Sequence, residues 1–144
     1  MLEWLLRFIL AGAFLYAGYL KAGDPIQFLF DIRSFQLLPD PYAALVAMGL
    51  PWLEIFCGAG VLLKRLYVGS LTVLAVSLVV FMGALAWSWH RGLDVSCGCF
   101  GKSAEELSYT WHLVRNGALL VVALGLLWWE WRASRVGRQG SQGA

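Results

Sequence analysis

The chain divides by hydropathy into four long apolar stretches separated by short polar breaks. The first runs from about Trp4 to Leu20 and is uncharged from Phe8 onward, with Arg7 and Lys21 placed for their long stems to snorkel to opposite interfaces. Its single Arg7 makes a poor basic region for a signal peptide, and no small-residue cleavage site precedes Lys21, so this stretch reads as a retained helix. The second runs from 42 to 63 and contains Pro51 and Glu54. Cutting it at Pro51 would leave two pieces too short for about 30 Å of hydrocarbon, so the pattern predicts one kinked span. The third, 67 to 89, is 23 residues without a formal charge. The fourth, 111 to 131, opens with Arg115 and Asn116 near its start and closes on Trp128, Trp129 and Trp131, residues that favour the interface.

Between the first two stretches lies DPIQFLFDIRSFQLLPDP, too apolar for a plain loop and too interrupted to span. Asp24 followed by Pro25 is a good helix start, and Phe28, Ile32 and Phe35 recur at helical spacing. The expectation is a short helix at the membrane surface, acting as a connector or as a lid over a nearby site. The fold class is therefore all-α: an integral membrane four-helix bundle with a short interfacial helix between helices 1 and 2. Residues 1–132 form one transmembrane domain, and 133–144 read as a disordered cytoplasmic tail. Small residues (Gly12, Ala13 and Ala17; Gly58 and Gly60; Gly69; Gly83) offer places for helices to approach closely.

Composition agrees with a membrane as the solvent. Of 144 residues 60% are hydrophobic, 15% aromatic and only 14% charged, more apolar surface than a soluble core of this length would bury. A net charge of +2 is too small and too dispersed to point to nucleic acid. It bears instead on orientation. Four spans leave both termini on one side; Arg7, Lys64, Arg65, Arg132, Arg135 and Arg138 fall with them, against Lys21, Arg33, Arg91, Lys102 and Arg115 opposite. The dense Lys64-Arg65 turn favours termini in the cytoplasm and the loop from His90 to Thr110 outside the cytoplasmic membrane.

That loop carries VSCGCFGK, residues 95–102. Outside the cytoplasm a thiol pair can live as a disulfide. Bridging positions i and i+2 needs a sharp bend, which Gly98 permits, and the resulting ring would be strained and easily reduced. It would close too little chain to serve well as a brace. Cys97 and Cys99 thus read first as a reactive pair; a structural bridge or idle thiols is one alternative. Metal ligation is another, because His90, Cys97, Cys99 and His112 bracket one loop with two soft and two imidazole donors suited to zinc, although their spacing matches no recurrent zinc pattern. Arg115 can lower the pKa of a nearby thiolate or simply snorkel. Glu54 stands deep in its span and needs a partner: Arg7, Arg115, or, if protonated, backbone freed by Pro51. It reads as an interhelical lock, a proton relay or a contact to a bound quinone. Cys57, one turn from Glu54, reads as a small buried hydrophobe.

The order LLRFILAGAFLYAGYLKAGDPIQF, LLPD, PWLEIFCGAGVLL, CGCFG and WHLVRN resembles the methylamine-utilisation MauE family within the wider DoxX-like group of four-helix membrane proteins. The match runs nearly from the first residue to about Trp131, and its most specific part is CGCFG followed by Arg-Asn at the head of the last helix. The resemblance implies a cytoplasmic-membrane protein that assists maturation of a disulfide-rich periplasmic dehydrogenase subunit beside a thioredoxin-like partner. It implies Cys97 and Cys99 as the redox pair, accompanied by Arg7, Glu54, Arg115 and Asn116. Two functions follow as expectations. One is thiol-disulfide exchange between an extracytoplasmic thioredoxin-fold protein and a membrane quinone; the other is a non-enzymatic DoxX-like subunit or scaffold whose loop docks a partner or binds zinc.

Overall fold

The computed structural model of the chain describes residues 1–92 and 109–142, all its regular elements being helices: α1 (Leu2–Gly23), α2 (Pro25–Ser34), α3 (Tyr42–Leu62), α4 (Tyr67–His90) and α5 (Tyr109–Gln142). Four of them, α1, α3, α4 and α5, are long and apolar enough to cross a bilayer. Most of their large apolar side chains face outward, among them Phe8, Phe56, Val80 and Val121. That distribution suits lipid as the surrounding medium: the chain is a multi-pass membrane protein.

The spans are arranged in a ring in chain order. α1 packs on α3, α3 on α4, α4 on α5, and α5 closes back on α1. The central core gathers Leu10, Phe14, Val61, Leu71, Leu74 and Leu126, and Cys57 is buried among them, as its apolar setting predicts. A second, smaller core forms where α2 lies on the first half of α3: Phe28 and Ile32 against Ala43 and Ala47. Pro25 opens α2 behind Asp24, whose Oδ1 accepts a hydrogen bond from the Gln27 backbone N–H at 3.1 Å. The segment is a helix for the reason its Asp-Pro start suggests.

α1 and α3 meet most closely at two glycines, one on each helix. A β-carbon on Gly18 would stand 2.7 Å from Ile55 Cγ1 and 2.9 Å from the Pro51 carbonyl oxygen, and one on Gly58 would stand 3.1 Å from Leu15 Cγ. Of the small residues picked out by sequence, Gly58 and Gly60 sit at real contacts, whereas Gly12, Gly69 and Gly83 face open space. Gly18 is the one overlooked.

α5 departs from its hydropathy pattern. The apolar run ends at Trp131, yet the backbone stays helical through Gln142, where residues 133–144 were expected to be a disordered tail. Arg132, Ala133, Arg135 and Arg138 favour helix while Gly137 and Gly140 oppose it, and a helix already nucleated in the membrane is extended through this mixed segment without a new nucleation step.

At the same end of the bundle as α5's start, Arg33 and Asp40 form an exposed ion pair at 2.9 Å, with side chains 44% and 55% accessible. Solvent screening leaves such a pair worth at most about 1 kcal/mol. Asp40→Asn is expected to lower thermal stability in detergent by no more than that, and a large loss would show that the pair anchors α2.

Candidate functional site

The polar centre of the bundle is an ion pair between α1 and α3. Lys21 Nζ donates to Glu54 Oε1 at 2.7 Å and to Oε2 at 2.9 Å, and both side chains are 2% accessible. Glu54 lies 12 residues from the start of α3 and 8 from its end, about 18 Å and 12 Å along the axis. A carboxylate at that depth is costly unless paired, and a bidentate ammonium contact answers most of the cost. The approach of α1 at Gly18 makes the reach possible. Lys21 stands three residues beyond Gly18 and Glu54 three beyond Pro51, so both are carried onto the face where the backbones touch. Aromatic rings enclose the ammonium, with Phe28 of α2 at 5.2 Å and Phe81 of α4 at 4.7 Å.

This corrects two expectations. Lys21 is not at an interface with its head in water but buried, and neither Arg7 nor Arg115 is the salt-bridge partner that holds Glu54. Arg7 works at the far end of the same helix: its Nη2 donates to the Leu62 carbonyl at 2.7 Å, and its guanidinium lies 4.2 Å from the centre of the Trp4 ring. It caps the C-terminus of α3, whose last carbonyls have no partner within the helix. Arg7 is likewise buried rather than snorkelling.

Beside the pair is a cavity of about 30 Å³, enough for water. Lys21, Glu54, Arg115 and Asn116 all line it, with Phe14 and Leu78 among its apolar walls. Three of the polar residues singled out by sequence, Glu54, Arg115 and Asn116, are therefore brought together, and Lys21 joins them. Asn116 is 6% accessible, and its side chain makes no hydrogen bond among the described residues. Phe81 forms a wall of this cavity and also of a larger apolar groove of about 630 Å³, bordered by Ile32, Phe35, Val46, Leu50, Val80 and Trp87.

The cavity sits toward the end of the bundle where α4 finishes at His90 and α5 begins at Tyr109. Cys97 and Cys99 belong to the connection between those helices and lie outside the described residues. Of the alternative metal set, His90 is the exposed last residue of α4 and His112 falls in the first turn of α5.

The sequence profile of the family described as "Methylamine utilisation protein MauE" matches residues 1–129. The chain belongs to the MauE family. It is 34% identical over 128 residues to the methylamine utilization protein MauE of Paracoccus denitrificans, covering 88% of this chain and 68% of that one. The MauE of Paracoccus versutus is 35% identical over 127 residues, 87% of this chain and 68% of the relative. The MauE of Methylorubrum extorquens is 35% identical over 104 residues, 71% and 55% of the two chains. No solved structure matches. The region shared with the MauE family contains all four cavity-lining polar residues and both loop cysteines.

Proposed function

We propose that this protein is a membrane thiol-disulfide oxidoreductase, with Cys97 and Cys99 as its exchanging pair in an extracytoplasmic loop and its termini in the cytoplasm. The observation that carries the reading is the meeting of Lys21, Glu54, Arg115 and Asn116 in one buried cavity, near the helix ends from which that loop leaves. Burying several ionisable groups in a lipid-facing bundle costs too much to be incidental, and such groups mark sites of proton or charge handling.

A thiolate of a thioredoxin-fold partner attacks the Cys97–Cys99 disulfide to give a mixed disulfide and one free thiolate. The partner's second thiolate then resolves it. The partner leaves as a disulfide, and Cys97 and Cys99 remain as thiols. Two electrons and two protons must then leave the pair. A lipid-soluble quinone of the membrane accepts both, becoming quinol and restoring the disulfide. The apolar groove that shares Phe81 with the polar cavity supports an acceptor that arrives through lipid. Arg115 favours the thiolate form during exchange, the Lys21–Glu54 pair holds the cavity's shape, and Arg7 secures the far end of α3. In the cell the process served is the maturation of disulfide-bearing periplasmic proteins; the relatives are named for methylamine utilization.

The test is disulfide exchange by purified protein with a thioredoxin-fold oxidoreductase. Wild type is expected to exchange, Cys99→Ser to accumulate a mixed disulfide when its Cys97 thiolate attacks a single-cysteine partner carrying thionitrobenzoate in disulfide linkage, with thionitrobenzoate as the leaving thiolate, and Cys97→Ser/Cys99→Ser to fall to the rate without protein. Undiminished exchange by the double variant would sink the reading. So would stoichiometric zinc on loop thiols that do not react, a result that would support a scaffold holding a Cys/His metal site.

A further inference from the structure

The opposite end of the bundle holds a second site, unrelated to the cavity. α5 has 34 residues and is about 50 Å long, against about 30 Å of hydrocarbon, so its last turns stand in the headgroup layer or beyond. There the start of α4 and the side of α5 enclose a crevice of about 460 Å³, walled by Val68, Leu127, Trp128, Trp131 and Ser134, with Glu130 also on its rim.

Two of its walls carry a cation. The Arg132 guanidinium lies 3.8 Å from the centre of the Trp128 ring, and that of Arg135 lies 3.6 Å from the centre of the Trp131 ring. Neither guanidinium is paired with a carboxylate among the described residues. Stacking on indole fixes a guanidinium while leaving its N–H edge free to donate, which is the geometry for a phosphate. Lys64 and Arg65 close the neighbouring α3–α4 turn; Lys64 is paired with Glu3 at 3.4 Å, and Arg65 adds to the positive field at this end. The crevice is therefore apolar below, where Val68 and Leu127 face hydrocarbon, and cationic above.

We propose that this crevice binds one anionic glycerophospholipid of the surrounding leaflet. Its phosphate sits between Arg132 and Arg135, one acyl chain runs along Val68 and Leu127, and the Glu130 carboxylate accepts a hydrogen bond from a headgroup hydroxyl. Charge complementarity selects the occupant. A zwitterionic lipid gains from the apolar part only, since its own ammonium offsets the phosphate.

The experiment is native mass spectrometry of the full chain after exposure to mixed micelles of equal parts phosphatidylglycerol and phosphatidylcholine. Wild type is expected to retain one phosphatidylglycerol in preference to phosphatidylcholine. Arg132→Gln/Arg135→Gln should reduce that preference roughly fivefold per charge removed. Val68→Trp, which fills the crevice without altering charge, should lower retention of both lipids, and Arg91→Gln at the other end of α4 should change nothing. An unchanged preference in the double variant would overturn the proposal. So would displacement of the lipid by millimolar inorganic phosphate, or copies of a Ser134→Cys variant that crosslink through the crevice in the presence of lipid.

Discussion

Glu54→Leu should cost the protein about 3–5 kcal/mol of stability, read as a fall of many degrees in the detergent melting temperature, because it removes the carboxylate bound bidentately by a Lys21 ammonium buried at 3% accessibility beside two phenyl rings. Lys21→Met should be comparably harmful, leaving the Glu54 carboxylate without its bidentate donor. The two effects must not add. With both charges gone, Lys21→Met/Glu54→Leu replaces a buried pair by apolar side chains of similar size, a change that is often neutral. Melting temperatures of the three variants form a double-mutant cycle. If the double variant is as unstable as the sum of the singles, the pair is not the interaction that joins α1 to α3, and the cavity loses its organising contact. The recovered double variant also separates stability from chemistry: a folded protein without the ion pair shows whether exchange at the loop needs those charges.

Gly18→Val is the second large effect. Its β-carbon would enter the space of Ile55 Cγ1 and the Pro51 carbonyl, and would lie 3.3 Å from Glu54 Cβ. Side chains can turn aside, but the Pro51 oxygen belongs to the α3 backbone, so the helices must separate. Overpacking of this kind costs typically about 1–3 kcal/mol, and here separation also lengthens the Lys21–Glu54 contact. Valine is expected to abolish a sharp thermal transition and alanine to lower its midpoint. Gly12→Ala supplies the control on the same helix. Nothing lies within 4 Å of its β-carbon, so it should be neutral or gain a few tenths of a kcal/mol from helix propensity. Equal behaviour of Gly12 and Gly18 variants would show that the α1–α3 crossing tolerates separation.

The spans were legible from hydropathy because lipid demands long apolar runs whatever the tertiary packing. Three of them begin and end within a few residues of the expected positions, from 4–20 widening to Leu2–Gly23 to 67–89 closing at His90. α5 extends further than the apolar run for the complementary reason: hydropathy registers only the immersed part of a helix, and residues 132–142 prolong a helix already nucleated in the membrane. Glu54 was recognisable as a residue requiring company, and its distance from any cation along the chain gave no means of naming it. Lys21 is not legible as that partner, because a lysine at the edge of an apolar run ordinarily reaches for water. The signal was present in Gly18, three residues earlier, where a second helix can come close enough to intercept that reach. Arg115 and Asn116 were recognisable as polar residues entering a span, but only the ring order of the helices puts them beside Glu54.

The ring order has a mechanical corollary. α1 and α3 are locked by interdigitated glycines, whereas the walls of the water-sized chamber are contributed jointly by that pair and by α4 and α5. The chamber thus straddles a seam between a stiff half and a second half that holds the loop. Relative displacement of the two halves would change its hydration first, before disturbing either helix pair internally.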